Sequence, residues 1–244
     1  MVCRWWHLGY LPRPAGYRRD LVNGLLVHMR ETDVLIVGAG PTGLSAALTA
    51  GRSGARVILA DEDFRMGGRL NAETFALGNG SGADWARDSV RELSSLPNVR
   101  LMTRTTILGA FDHGIYGALE RVNDHVAAIP TGQPRQILWR IYTKRAILAA
   151  GATERPIAFV NNDRPGIMMA GAVRAYVNRW AATPGKRIAI FTNNDDGLRT
   201  LDDLRAKGVI FVGEVSDIPD GAITVFSAHG ISQKVEDSAR LREF

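Results

Sequence analysis

Residues 33–63, DVLIVGAGPTGLSAALTAGRSGARVILADED, constrain the fold more than any other stretch. Val34–Val37 is an apolar run that stops at Gly38. Gly38, Gly40 and Gly43 then make G-x-G-x-x-G, with Ala39, Pro41 and Thr42 between them. Pro41 stands where the first turn of a helix tolerates a residue without an N–H. "GLSAALTAGRSG" (43–54) reads as a helix with small residues on one side, closed by Gly54. "RVILADED" (56–63) reads as the next parallel strand. The whole is a β-α-β unit whose crossover is right-handed.

The three glycines have separable tasks. The first permits the tight strand-to-helix turn. The second lacks a Cβ, so a pyrophosphate can approach the backbone, and the third lets helix and strand pack closely. The helix start offers unpaired N–H groups and a partial positive charge. Asp61 falls at the end of the second strand, where a carboxylate accepts hydrogen bonds from ribose hydroxyls and repels a 2′-phosphate. Glu62 takes that place if the strand ends one residue later. The pattern predicts a dinucleotide site, disfavouring NADP, against the alternative of a merely structural turn. "RMGGRL" (65–70) sets Gly67 and Gly68, followed by Arg69, where a second close backbone approach to the dinucleotide fits, or an ordinary glycine turn. "AILAAGATERP" (146–156) is an apolar strand ending in Gly151 and Ala152, small enough to pass beside a dinucleotide.

The rest of the chain continues the alternation. Residues 1–28 mix Trp, Arg, Pro and Gly without a period, and Met29 precedes the first strand, so 1–28 is expected to be an irregular tail and Met29 the start of the domain. Residues 82–99 put Trp85, Val90, Leu93 and Leu96 on one helical face. Residues 99–122 read as strands with turns at Gly109 and 112–114, residues 135–151 as two β segments, and 170–183 as a helix. Residues 186–209 and 221–244 each read strand, turn, helix.

Composition excludes several classes. The net charge of +5 comes from residues 1–30, where Arg4, Arg13, Arg18, Arg19 and Arg30 face Asp20 alone, and no basic stripe follows to bind nucleic acid. The single cysteine, Cys3, excludes an internal disulfide, a CxxC redox pair and a multi-cysteine iron–sulfur cluster, and suits a reducing cytosol. No stretch reaches the roughly 18 apolar residues of a membrane span. Nothing at the start reads as a signal peptide, so a cytoplasmic location is expected. No metal site is expected.

The run from Leu119 to Gly197 contains "ATERP", "NNDRPGIM" and "FTNND". In these it resembles the α subunit of heterotetrameric sarcosine oxidase and its relatives, over about residues 32–205. The resemblance implies an α/β, Rossmann-like FAD/NAD(P)-binding domain of the disulfide-reductase type (29–183), and the start of a partial second nucleotide-binding-like unit (184–208). It implies NAD at the site, with FAD as the alternative, held by Gly38 through Gly43, Asp61 or Glu62, Gly67, Gly68, Arg69, Gly151 and Ala152. It also implies a small amine substrate and a β-type flavoprotein subunit as partner. The family's α subunit carries a ferredoxin-like region before this segment and a folate-binding region after it, and neither is in this sequence. In the second unit Asn193, Asn194, Asp195 and Asp196 stand where a glycine fingerprint would, so that unit is expected to be scaffold. His113 and His125 lie in shared segments without a pattern that marks a catalytic role, and the catalytic residues stay unknown. Hydride chemistry in such proteins resides in the cofactor.

Residues 209–244, with "SAHGIS" (227–232), are similar to 4-hydroxy-3-methylbut-2-enyl diphosphate reductase, and His229 matches a phosphate-contacting histidine of that family. That reductase needs three cysteine ligands to a cluster, which one cysteine cannot supply. The sequence is therefore read as a hybrid joined near "DDLRAKGV" (202–209). Its function is either that of a subunit fragment in an amine-oxidising complex, or that of a non-catalytic dinucleotide-binding remnant with an inactive reductase piece.

Overall fold

The computed structural model describes residues 19–21, 25–77, 80–185, 188–192, 195–207 and 223–226. In chain order the elements begin with β1 (Arg19–Leu21), β2 (Leu25–Val37), α1 (Pro41–Arg52), β3 (Val57–Ala60), β4 (Ala76–Leu77) and β5 (Gly80–Ser81). Next come α2 (Gly82–Ser95), β6 (Val99–Met102), β7 (Thr105–Phe111), β8 (Ile115–Glu120) and β9 (Gln136–Leu148). The last are β10 (Met168–Met169), α3 (Ala170–Arg174), β11 (Ile188–Phe191), α4 (Asp195–Arg205) and β12 (Ile223–Phe226). Two compact units result: residues 1–68 with 87–150, and residues 69–86 with 151–244.

The first unit is built on a sheet of order β6-β3-β2-β9-β8-β7, with β1 on β2. β6, β3, β2 and β9 run parallel, and β8 and β7 return antiparallel. Leu35, Ile58, Ala60, Met102, Ala118, Trp139 and Ile141 form its buried core. Helix α1 buries Leu44, Ala47 and Leu48, at helical spacing. The two leucines contribute about 1.5–3 kcal/mol each on full burial. Gly51 lets α1 approach its neighbours closely, since a Cβ there would lie 2.9 Å from Val99 and 3.0 Å from Leu96. Asn98 locks the helix end by donating to the carbonyls of Gly51 (2.9 Å) and Ala55 (2.7 Å).

Two details differ from the sequence reading. β2 begins at Leu25, upstream of Met29, and β1 pairs with it, so residues expected in an irregular tail are strand. The cause lies in β9, expected as two segments but formed as one strand of 13 residues. It offers β2 a ladder from Leu25↔Gln136 to Val37↔Leu148, which satisfies backbone groups on both sides of Met29. The ladder steps from Thr32↔Thr143 to Val34↔Arg145, and at that step Lys144 Nζ lies 2.8 Å from Asp33.

The second unit has a parallel sheet of order β10-β12-β11 and a β4–β5 hairpin. Ala170, Val173, Ile188 and Leu204 make its core. β11, α4 and β12 form a parallel crossover, as the reading of a second β-α unit expects. The expected boundary at 183/184 falls inside this unit, because β10 before it and β11 and β12 after it share one sheet. Helix α3 continues as a π-helical turn over Ala175–Arg179. Asn193, Asn194 and the segment 227–232 with His229 lie outside the described residues.

Candidate functional site

Three segments of the first unit meet at the glycine turn. Gly38 has φ +96°, and a Cβ there would run into the Ala149 carbonyl, just past the end of β9. Its N–H donates to Ala60 O (2.8 Å), while Ala149 N–H donates to Val37 O (2.8 Å). Gly43 faces Gly38, and a Cβ on it would overlap the Gly38 carbonyl oxygen. Both positions thus have a steric reason internal to the fold.

Gly40 has none. Its φ of −70° and ψ of −174° suit any residue, and an added Cβ would meet nothing within 4 Å. It is the N-cap of α1, with Pro41 at N1, no side-chain cap and no acidic residue in the first turn. Leu44 N–H donates to Gly40 O (2.9 Å). The amides of Thr42 and Gly43 precede that first intrahelical bond and open from the helix end.

β3 ends at Ala60, so Asp61 is the residue that follows the strand, and Glu62 is exposed beyond it. Half-buried Asp61 accepts from Ala39 N–H through Oδ2 (2.6 Å) and from Asp63 N–H through Oδ1 (2.8 Å). An ionised carboxylate accepts about four hydrogen bonds, so Asp61 is tethered to the glycine turn with capacity remaining. The third segment closes on the same point. Gly67 N–H donates to Ala39 O (2.8 Å), and a Cβ on Gly68 would lie 2.9 Å from Gly40 Cα. Sequence reasoning did not single out Phe64 and Arg104 beside these segments. Arg104 lies over the half-exposed Phe64 ring at 5.2 Å, a cation–π pair of residues 40 apart in sequence that no local pattern reveals.

Arg69, Gly151 and Ala152 belong to the second unit. Arg69 engages Asp196 (2.5 Å) and Glu73 (3.2 Å). Arg174, 2% exposed, bridges the same two carboxylates at 2.8 and 3.3 Å. Burial pushes the Asp196 carboxyl up, but the two guanidiniums outweigh it and hold the group below its usual value. Burial raises Glu154, whose carboxylate receives the Gly171 N–H, and neighbouring Asp196 adds to the rise. Gly151 and Ala152 are exposed. His113 occupies the β7–β8 turn at φ +64°, and His125 is exposed in the loop before β9.

The parallel sheet, the glycine turn and the acid after the second strand define a dinucleotide-binding fold of the oxidoreductase type. The family model described as FAD dependent oxidoreductase matches residues 33–106. The L-proline dehydrogenase from P. horikoshii shares the fold, with a TM-score of 0.67 and 22% identity over 83% of this chain and 43% of that one.

Most of the chain is homologous to a segment of the sarcosine oxidase alpha subunit. "Sarcosine oxidase subunit alpha" of Rhizobium meliloti (strain 1021) is 50% identical over 191 residues, 78% of this chain. The matched part is 19% of that relative's length. The resemblance drawn from "ATERP" and "NNDRPGIM" is thereby borne out. So is the second resemblance: the 4-hydroxy-3-methylbut-2-enyl diphosphate reductase of Glaesserella parasuis serovar 5 (strain SH0165) is 58% identical over 43 residues, 18% of this chain and 14% of that protein. These matches support a dinucleotide cofactor, with FAD favoured over the NAD that the sequence reading placed first. No described helix is long and apolar enough to cross a membrane.

Proposed function

We propose that the first unit binds FAD at the glycine turn, as the dinucleotide-binding segment of an oxidoreductase subunit. The observation that carries this is Gly40: backbone and packing within the chain leave room for a side chain, so the glycine answers to a body outside the chain. In this reading the Thr42 and Gly43 amides receive the pyrophosphate, with the dipole of α1 behind them. Asp61 holds the adenosine ribose with the acceptor capacity left after its bonds to Ala39 and Asp63. Gly67 and Gly68 keep the third segment low beside Gly40. The flavin, when bound, supplies the hydride-accepting chemistry, and the residues named here bind and orient it. Arg69, Gly151 and Ala152 stay outside this proposal.

The substrate we propose is a small secondary amine of the N-methyl amino acid class, oxidised with a second flavoprotein subunit in the cytoplasm. Support comes from the printed names of the relatives, a sarcosine oxidase subunit and an opine oxidase subunit 31% identical over 163 residues. We further propose that residues 209–244 have a separate ancestry, seated in the second unit through β12.

The test compares thermal melts of the purified chain with FAD, NAD and neither, alongside its flavin absorbance. Binding at a hundredfold excess over Kd raises stability by about 2.7 kcal/mol. FAD should raise the melting temperature and NAD should not. A response to NAD alone would overturn the cofactor assignment, and a response to neither would overturn the site.

A further inference from the structure

The first unit carries positive charge for which the fold supplies no partner. Arg100, on edge strand β6, lies 4.7 Å from the centre of the Trp139 ring. Arg30, on β2, lies 5.9 Å from the same ring, and the His28 ring packs against it at 4.7 Å. Arg100 Nε is closed off from solvent and has no hydrogen-bond partner. Among the described residues neither arginine forms an ion pair. Glu120, the carboxylate at hand, accepts the indole N–H of Trp139 at 2.7 Å. Burial first, and then Arg30, hold Arg100 below its ordinary pKa, with Glu120 opposing.

A guanidinium withdrawn from water is ordinarily paired. Its donor fork matches the oxygens of a phosphate or carboxylate, and an aromatic face beneath keeps the fork flat and pre-oriented. We propose that Arg100 and Arg30, over Trp139, bind a small ligand through an oxyanion group, phosphate or carboxylate. The site is separate from the glycine turn. Trp139 pairs with His28, nine residues along the β2–β9 ladder from the Val37↔Leu148 pair beside that turn. The proposal does not depend on the dinucleotide reading.

The test is calorimetric titration of the full chain with inorganic phosphate and, separately, with acetate, at constant ionic strength set with chloride. At least one should give saturable heat, and which one does separates a phosphoryl from a carboxylate ligand. Arg100→Gln should weaken binding by about tenfold or more, the worth of one charge-assisted hydrogen bond. The tryptophan fluorescence change on binding should vanish in Trp139→Phe. Arg30→Gln serves if Arg100→Gln fails to keep the wild-type circular dichroism, and should weaken binding in the same direction. Gly40→Val should bind the anion like wild type. The proposal is overturned if neither anion gives saturable heat. It is overturned equally if the folded arginine variants bind like wild type, or if Gly40→Val abolishes the heat, which would put the anion on the glycine turn.

Discussion

Replacing Gly40 with valine separates what the fold needs from what a ligand needs. The backbone there (φ −70°, ψ −174°) is open to valine, and nothing stands within 4 Å of an added Cβ. The cost to the fold is confined to a poorer helix N-cap, about 1 kcal/mol at most, which lowers Tm by about 2–4 °C in a chain of this size. Binding suffers far more. A branched side chain over the helix start keeps a phosphate away from the Thr42 and Gly43 amides. Hydrogen bonds to a charged group contribute about 1.5–3 kcal/mol each, so two of them lost weaken FAD about 10²- to 10⁴-fold. Flavin fluorescence titration beside a thermal melt measures both effects on one preparation. Affinity within about threefold of wild type in a folded Gly40→Val protein would refute the reasoning.

Gly43→Ala should behave oppositely. Its Cβ would overlap the Gly38 carbonyl, so stability itself should fall by about 1–3 kcal/mol, read from urea unfolding. Arg174→Met removes a buried guanidinium from Glu73 and Asp196 and should cost about 3–5 kcal/mol, seen as a lower urea midpoint. The Asp196 carboxyl is held below its unfolded value, so its contribution is present above the ordinary carboxylate range and lost as pH falls through the lowered value. Asp196→Asn should flatten that acid limb in unfolding midpoints taken across pH. Glu154 is raised, so its contribution is full below the unfolded value and lost as pH rises through the raised one. Glu154→Gln should therefore remove that loss.

What the sequence disclosed and what it hid follow the range of the interactions. The β2–α1–β3 unit is written locally: an apolar strand, three glycines, a helix of small residues and an acid at the next strand's end. It forms over Leu25–Val37, Pro41–Arg52 and Val57–Ala60. The end of β3 at Ala60 also decides between Asp61 and Glu62, which the one-dimensional reading left open. The strand start at Leu25 was hidden, because a partner more than 100 residues later in the chain sustains it. The assignment of residues 69–86 to the second unit was hidden for the same reason: Glu73 has its buried arginine at position 174, a charge pair with no local signature. Arg69, read as a neighbour of the cofactor, is engaged by Asp196, read only as a charge unsuited to phosphate. Trp139 with its two arginines joins three separate strands and leaves no motif.

The central claim is that a dinucleotide lies on the amides that open α1, beside Asp61 and the Gly67–Gly68 pair. Amide hydrogen exchange on the intact chain, with and without FAD, tests it most directly. The account predicts protection concentrated in peptides covering 38–44 and 61–68, and lost in Gly40→Val. Unchanged exchange in those peptides at saturating FAD, or protection confined to other segments, would contradict it.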